Sequence, residues 1–270
     1  MNPSSNPTVG TQLRDWRQRR RLSQLDLSVD AEVSTRHLSC VETGRAMPSR
    51  EMVLRLADRL AVPLRERNRL LTAAGFAPMY TERPLDDPEL AAARAAVEQI
   101  LRAHEPFPAL AVDRHWNLVF HNVAAAALLQ MGIAPALLQP PVNVLRISLH
   151  PDGLAPRILN LAQWRAHLLE RLHHQIGLTG DTTLAALADE LAGYPAPSHD
   201  GSAAFTPNAA IIVPLVLDTP LGQLSFISTM TVFGTPVEIT LSELALETFF
   251  PADEKTAAAL RDAAAARSVS

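Results

Sequence analysis

Through the first 77 residues, apolar side chains return every three or four positions in short runs. Each run is bracketed by residues that start or stop helices. Val9, Leu13 and Trp16 form the first run, with Thr8 or Thr11 as its cap. Arg17, Arg19, Arg20 and Arg21 close it near Arg20, where cations suit the negative end of a helix. Ser23 caps a second run from Gln24 to about Ala31, with Leu27 and Ala31 spaced to pack inward. Val33 fills the turn that follows. Ser34 then caps a third helix in which Leu38 and Val41 point inward, and Gly44 stands where helix ends favour glycine. Pro48-Ser49 opens a fourth, with Val53, Leu56, Ala57 and Leu60 on one stripe. Pro63 opens a fifth, with Leu64, Leu70, Leu71 and Ala74 inside and Gly75 at its end.

The rhythm then changes. Residues 76–88, FAPMYTERPLDDP, hold three prolines and mixed charges and read as a linker. Asp87-Pro88 caps a helix carrying Leu90, Val97, Ile100 and Leu101. From 109 to 121 apolar and polar residues alternate around Asp113-Arg114-His115. This predicts a β-hairpin with Leu110, Val112, Trp116, Leu118 and Phe120 on one face. Asn122 caps a short helix, Val123 to Met131. A long helix is predicted from about Pro156 to Ile176, and another from Thr183 to Ala192 behind Asp181. Residues 193–208 read as a loop. Three strand patterns follow: AAIIVPLVL, GQLSFISTMTVF and VEITL. SELALETFF fits strand or helix equally, and an alanine-rich helix over 253–266 frays into the last residues. The predicted class is α+β. A flexible lead (1–8) precedes an all-α five-helix domain (9–77). A linker (78–88) then joins it to a sheet domain with flanking helices (89–266).

The third helix has a second face. Thr35, Arg36, Ser39, Cys40 and Thr43 gather opposite Leu38 and Val41, which outlines a helix-turn-helix reader of the DNA major groove. Arg36 can offer two parallel donors to a guanine edge, Ser34, Thr35 and Ser39 can bond bases or phosphate, and Cys40 permits close approach. Gln24 would lie over the phosphate backbone, and Arg45 is a second phosphate candidate. Charge agrees with this. Residues 1–80 carry 13 Arg against 8 acidic residues, a net of +5, while the other 190 residues carry 11 basic and 20 acidic, a net of −9. A basic head suits phosphates and an acidic body does not.

Residues 9–77 resemble the Xre/Cro/C1-type helix-turn-helix family, in the Ser23-Gln24 start, the Val33-Ser34 turn, Leu38-Ser39, and Glu42 with Gly44-Arg45. The resemblance implies that Arg17 pairs with Glu42. Phosphate contact is the other reading of Arg17. Glu32 stands where that family usually has glycine in the turn, a position with left-handed backbone that costs another residue roughly 1 kcal/mol.

The second part looks like a PAS-type sensor fold. Residues 106–250 more specifically resemble the ligand-binding domain of MmyB-like transcription regulators. The carriers are PALAVDRHWNLVFHN, NVLRISLHPDGLAPRILNLAQWRAHLLERL and VPLVLDTPLGQLSF. This implies a hydrophobic, fatty-acid-like small molecule held between sheet and helices. Candidate contacts are Trp116, Leu118, Phe120, Trp164, Leu168, Phe226, Met230 and Phe233. Asn122, Arg146 and Arg165 are the polar groups to meet a carboxylate. Each apolar residue on that roll also reads as plain core, because a sensor pocket is a core with a hole in it.

His167, Glu170 and His174 share a helix face beside His173, which reads as a metal site or as a solvated face. The HExxH order is missing, as are a GxSxG turn, a GxxxxGK loop and a dinucleotide fingerprint. The expectation is therefore no enzyme, no metal and no cofactor besides a bound fatty acid or similar apolar effector. The expected partners are double-stranded DNA, that effector and a second copy of the chain, because one short helix reads too few base pairs. A C-terminal module that binds a protein, or a metal-dependent enzyme, are the alternatives. Cys40 is the only cysteine, the start MNPSSNPTVG lacks a basic end and apolar run, and no stretch approaches the roughly 18 apolar residues of a membrane helix. These features predict a cytoplasmic protein with no membrane partner.

Overall fold

The computed structural model describes residues 7–195, 213–234 and 238–269. Most of the expected flexible lead lies outside the described residues, and so do parts of the loop over 193–208, of the strand AAIIVPLVL and of the turn at 234–236. The chain divides into two compact units. One comprises Met1–Arg83 with Gly177–Gly180 and Pro236–Ser242, and the other Pro84–Ile176, Asp181–Thr235 and Glu243–Ser270.

The first unit is built from α1 (Val9–Arg19), α2 (Gln24–Asp30), α3 (Thr35–Glu42), α4 (Arg50–Arg59) and α5 (Leu64–Ala73). Thr8 is the residue that caps α1, its hydroxyl accepting from the Thr11 amide. Ser23 and Asp26 form a reciprocal capping box on α2, and Ser34 and Ser49 cap α3 and α4. Each cap contributes about 1 kcal/mol, which matters in helices this short because they cannot stand alone. Leu13, Leu27, Leu38, Leu56, Leu70 and Leu71 are fully buried between them. Gly10 lets α1 approach α3 closely, since a Cβ there would strike the Val41 carbonyl. Glu32 adopts φ +55° in the α2–α3 turn, the left-handed conformation that the family resemblance implies there.

The second unit contains α6 (Ala91–Ala103), β1 (Ala109–Val112), β2 (Leu118–His121), α7 (Val123–Leu129), α8 (Val144–Leu149), α9 (Leu161–Thr179) and α10 (Thr182–Ala192). After these come β3 (Leu215–Thr219), β4 (Gly222–Val232), β5 (Ala245–Pro251) and α12 (Glu254–Val269), while α11 (Ile239–Ser242), between β4 and β5 in sequence, belongs to the first unit. The five strands form one antiparallel sheet in the order β2-β1-β5-β4-β3. The last strand in sequence thus sits in the middle, as in a PAS-like sheet, and the chain as a whole is α+β. Within SELALETFF the strand begins at Ala245, with Leu246 facing one side and Glu247 and Phe249 the other, while Ser242 ends α11.

Three expectations are corrected. VEITL does not continue as strand, because the Glu238 carboxylate accepts from the Leu241 amide at 2.9 Å and turns the chain into α11. The long helix starts at Leu161, five residues late. Ile158 bridges to Leu217, and the Asn160 side chain binds the Pro214 carbonyl and the Val216 amide, so 158–160 are tied to β3 and the segment just before it, and the helix begins only after them. Finally, Phe120 is not on the face of Leu118. Val112 pairs with Leu118 but Ala111 with Phe120, so β2 carries an extra residue, a bulge that breaks the alternation. Leu118 and His121 therefore share the inner face with Leu110. Phe120 turns outward to pack with Val97, Leu101 and Leu246 beneath α6.

Candidate nucleic-acid interface and ligand cavity

The orientation of α3 is fixed from behind. Leu38 and Val41 are each 1% exposed. Glu42, the last residue of α3, receives two bonds from Arg17, at 2.7 and 2.9 Å, and a third from Gln24 at 2.8 Å. Arg17 Nη1 also donates to the Leu22 carbonyl at 2.8 Å. Burial alone would raise the Glu42 carboxyl, but the bonds from Arg17 and Gln24 and the charges of Arg17 and Arg14 outweigh it. The group rests below its ordinary value. The pairing implied by the family resemblance is thus present. Gln24, expected over the DNA backbone, gives its amide to Glu42 instead.

The opposite face of α3 is available. Arg36, Thr43 and Arg45 are exposed and Ser39 and Cys40 half-buried. Arg36 makes no ion pair or side-chain hydrogen bond among the described residues. Two of the expected hydroxyls are partly engaged. Thr35 shares a hydrogen bond with Ser28 at 2.8 Å, and Thr43 donates to the Ser39 carbonyl and accepts from Arg45. Ser34 is occupied as the cap of α3. Arg36, Ser39 and Cys40 therefore remain the side chains freest to meet base edges, and the exposed Arg14, Arg19, Arg21 and Arg50 supply further positive charge in the same unit.

Inside the second unit, between the inner sheet face and α7, α8 and α9, lies a cavity of about 80 Å³. Leu118, Trp164 and Leu168 line it, as expected from the sequence. The rest of the wall was not foreseen: Ala125, Leu128 and Leu129 of α7, Val144, Leu145 and Ile147 of α8, and Leu110, Leu215 and Phe249 of the sheet. Its side-chain polar groups are His121, Ser148 and Glu247. The clearest missed signal is Glu247, a lone charge in the apolar run Leu244–Phe250 at an inward register.

The other expected contacts have different work. Trp116 is buried at φ +67°, donates its indole N–H to Gln175 and lies under the Arg171 guanidinium, beside the cavity but not on its wall. Phe226 is fully buried and meets Phe249 edge-to-face, supporting the wall from behind. Met230 is exposed, with its sulfur 3.0 Å from Arg171, and Phe233 packs with the cluster under α6. Asn122 spends its whole carboxamide on the backbone, accepting from Ala109 and Ala125 and donating to Leu101 and Phe107. Arg146 is held by Glu190 through two bonds of 2.8 Å, and Arg165 donates to the carbonyls of Ala192 and Tyr194. The three polar groups proposed for a carboxylate are therefore satisfied away from the cavity.

His167 stacks near Trp164, and burial lowers its basicity. Among the described residues no cluster of three or more His, Cys, Asp or Glu is placed to hold a metal, and no helix is long and apolar enough to cross a membrane. No curated protein matches the chain. Two family models do. Residues 8–70 match a helix-turn-helix domain, and residues 93–263, well over half the chain, match the MmyB-like transcription regulator ligand binding domain. The bidentate lock behind α3 falls in the first match and the cavity in the second. The chain thus belongs to the family of transcription regulators defined by the MmyB-like ligand binding domain, here following a DNA-binding helix-turn-helix domain.

Proposed function

We propose that the protein is a one-component, sequence-specific regulator acting in the cytoplasm as a homodimer. Each copy presents α3 to the major groove of double-stranded DNA, and the cavity of the second unit senses an apolar small molecule. The observation that carries the reading is the division of α3 into two faces. Leu38, Val41 and Glu42 lock one face to the core, and Arg36, Ser39 and Cys40 stand open on the other. A helix held so firmly, with its guanidinium uncommitted, is suited to fixed-register contact with base edges.

The walls of the cavity favour an alkyl or otherwise hydrophobic effector, in keeping with the fatty-acid-like ligand implied by the sequence resemblance. At about 80 Å³ the cavity is smaller than the several hundred Å³ of a typical small-molecule site. An effector of any length must therefore part α7 and α8 from the sheet as it enters. That movement is the proposed input signal, and it follows from the close packing of interiors, which cannot absorb a ligand without a shift.

Arg36→Ala tests the DNA reading. The variant is expected to keep its fold and lose about 1–3 kcal/mol of affinity for the preferred site while relaxing one base position. Selection from random duplexes, followed by titration at fixed salt, reads both effects. Unchanged discrimination between selected and random DNA would remove α3 as the reading element.

A further inference from the structure

The cavity wall is thinnest at His121. Among the described residues that line the cavity, His121 alone is exposed, and the others are buried or half-buried. A groove of about 260 Å³ lies outside it, between α6 and the end of β2. Glu98, Leu101 and Arg102 of α6 line this groove together with Phe120, His121 and Asn122. His121 is thus the one described residue that borders both spaces. The bulge in β2 puts it there. Under strict alternation Phe120 would take the wall and His121 would face outward.

Frame and door are held with different firmness. Asn122 is buried, and its carboxamide makes four bonds to the backbone of Leu101, Phe107, Ala109 and Ala125. It ties α6, β1 and α7 into one post. Among the described residues the His121 ring makes a single hydrogen bond, Nδ1 donating to the Asn122 carbonyl at 3.1 Å. A rotamer change of that ring gives up one bond, which water replaces. The outer rim is no tighter. Glu98 and Arg102 pair at 3.6 Å with side chains 42% and 68% exposed, and such a pair holds little. Between this rim and the wall, Leu101 and Phe120 give an alkyl chain arriving from water an apolar strip to lie on.

Resting on the sensor reading above, we propose that the groove outside β2 is the entrance to the cavity and that the His121 side chain is its door. The alkyl end of the effector passes the imidazole first. It then meets the first turns of α7, where Ala125 lines the cavity, and so enters between that helix and the sheet, where the parting of the two begins.

The test uses the full-length protein with Cys40→Ser, which removes its only cysteine, and Ala125→Cys, which places a thiol on a buried part of the wall. The probe is octyl methanethiosulfonate, whose octylthio group passes to the cysteine sulfur as methanesulfinate leaves. Intact mass follows the labelling rate, and urea-unfolded protein labelled in parallel shows that the thiol reacts. His121→Ala opens the door and is expected to raise the rate roughly tenfold, and His121→Trp is expected to lower it roughly tenfold. Val142→Ala loosens the same core away from the cavity wall and is expected to leave the rate within about twofold. If His121→Trp does not fold, the contrast between His121→Ala and Val142→Ala decides alone. A rate indifferent to residue 121, or raised as much by Val142→Ala as by His121→Ala, overturns the entrance and leaves the sensor reading intact. A thiol that reacts in urea but in no folded variant overturns both, because the cavity then admits no alkyl chain.

Discussion

Two arginine–glutamate pairs with buried carboxylates, one in each unit, are built on different plans. Arg17 and Glu42 meet in parallel, both carboxylate oxygens are bonded, and Gln24 adds a third donor. Arg171 reaches Glu247 through one nitrogen, and its other terminal nitrogen faces the Met230 sulfur. In the first pair, hydrogen bonding overcomes burial and holds Glu42 below its ordinary pKa. In the second, burial prevails over the pull of Arg171 and pushes Glu247 up. The same two residue types thus make a lock when every lone pair is answered, and an adjustable corner when one side opens on a cavity.

The comparison breaks most visibly at the lock. Glu42→Ala leaves Arg17 buried without its partner, and the first unit is expected to lose about 3–5 kcal/mol. Urea unfolding of the full-length protein, read by a probe in α3, measures it. The pH dependence carries a sign. A carboxyl whose folded pKa is depressed contributes stability above its unfolded value and loses it as pH falls through the folded value. Wild type should therefore weaken in acid below the ordinary glutamate range, and Glu42→Ala should lack that part of the decline. An equally steep acid decline in the variant would assign the effect to other carboxylates.

The cavity corner should yield differently. Arg171→Met strands Glu247, but a carboxyl already pushed up can take a proton in place of its lost partner. The folded state then holds that proton more tightly than the unfolded chain, so stability falls as pH rises past the unfolded glutamate value. The variant is expected to lose about 2 kcal/mol at pH 8 and clearly less at pH 5. Denaturation at the two pH values checks this. A penalty independent of pH would mean that the loss is packing against Trp116 and not the stranded charge.

The helices of the first unit were legible in the sequence, the Arg17–Glu42 lock only through the family resemblance, and the corner not at all, for a physical reason. The helices of the first unit are set by signals that act over a turn or two: Ser23, Ser34 and Ser49 as caps, Gly44 as a stop, Leu38 and Val41 on one stripe. Periodicity reads such signals directly. The second unit depends on events that local pattern does not encode. One inserted residue in β2 sends Phe120 outward and brings His121 inward. Glu190 claims Arg146 from 44 residues away, and Glu238 turns an expected strand into a helix by capping it. The apolar walls at Trp164 and Leu168 were found because they follow a helix stripe. Glu247 was passed over because the segment around it fitted strand and helix alike.

The smallest effect concerns the turn before the lock. Glu32 holds φ +55°, a conformation that costs a residue with a Cβ about 1 kcal/mol, and glycine would remove that cost. Glycine also enlarges the freedom of the unfolded chain, which takes back roughly half of the gain. Glu32→Gly is therefore expected to stabilise the first unit by about 0.5 kcal/mol, measurable as a rise in the urea midpoint at unchanged slope. The variant also deletes a negative charge three residues before the start of α3, so affinity for DNA of any sequence should rise slightly, and more at low salt than at high. A destabilised variant would show that the Glu32 side chain contributes more to the turn than its backbone costs, and would extend the lock behind α3 to include the turn itself.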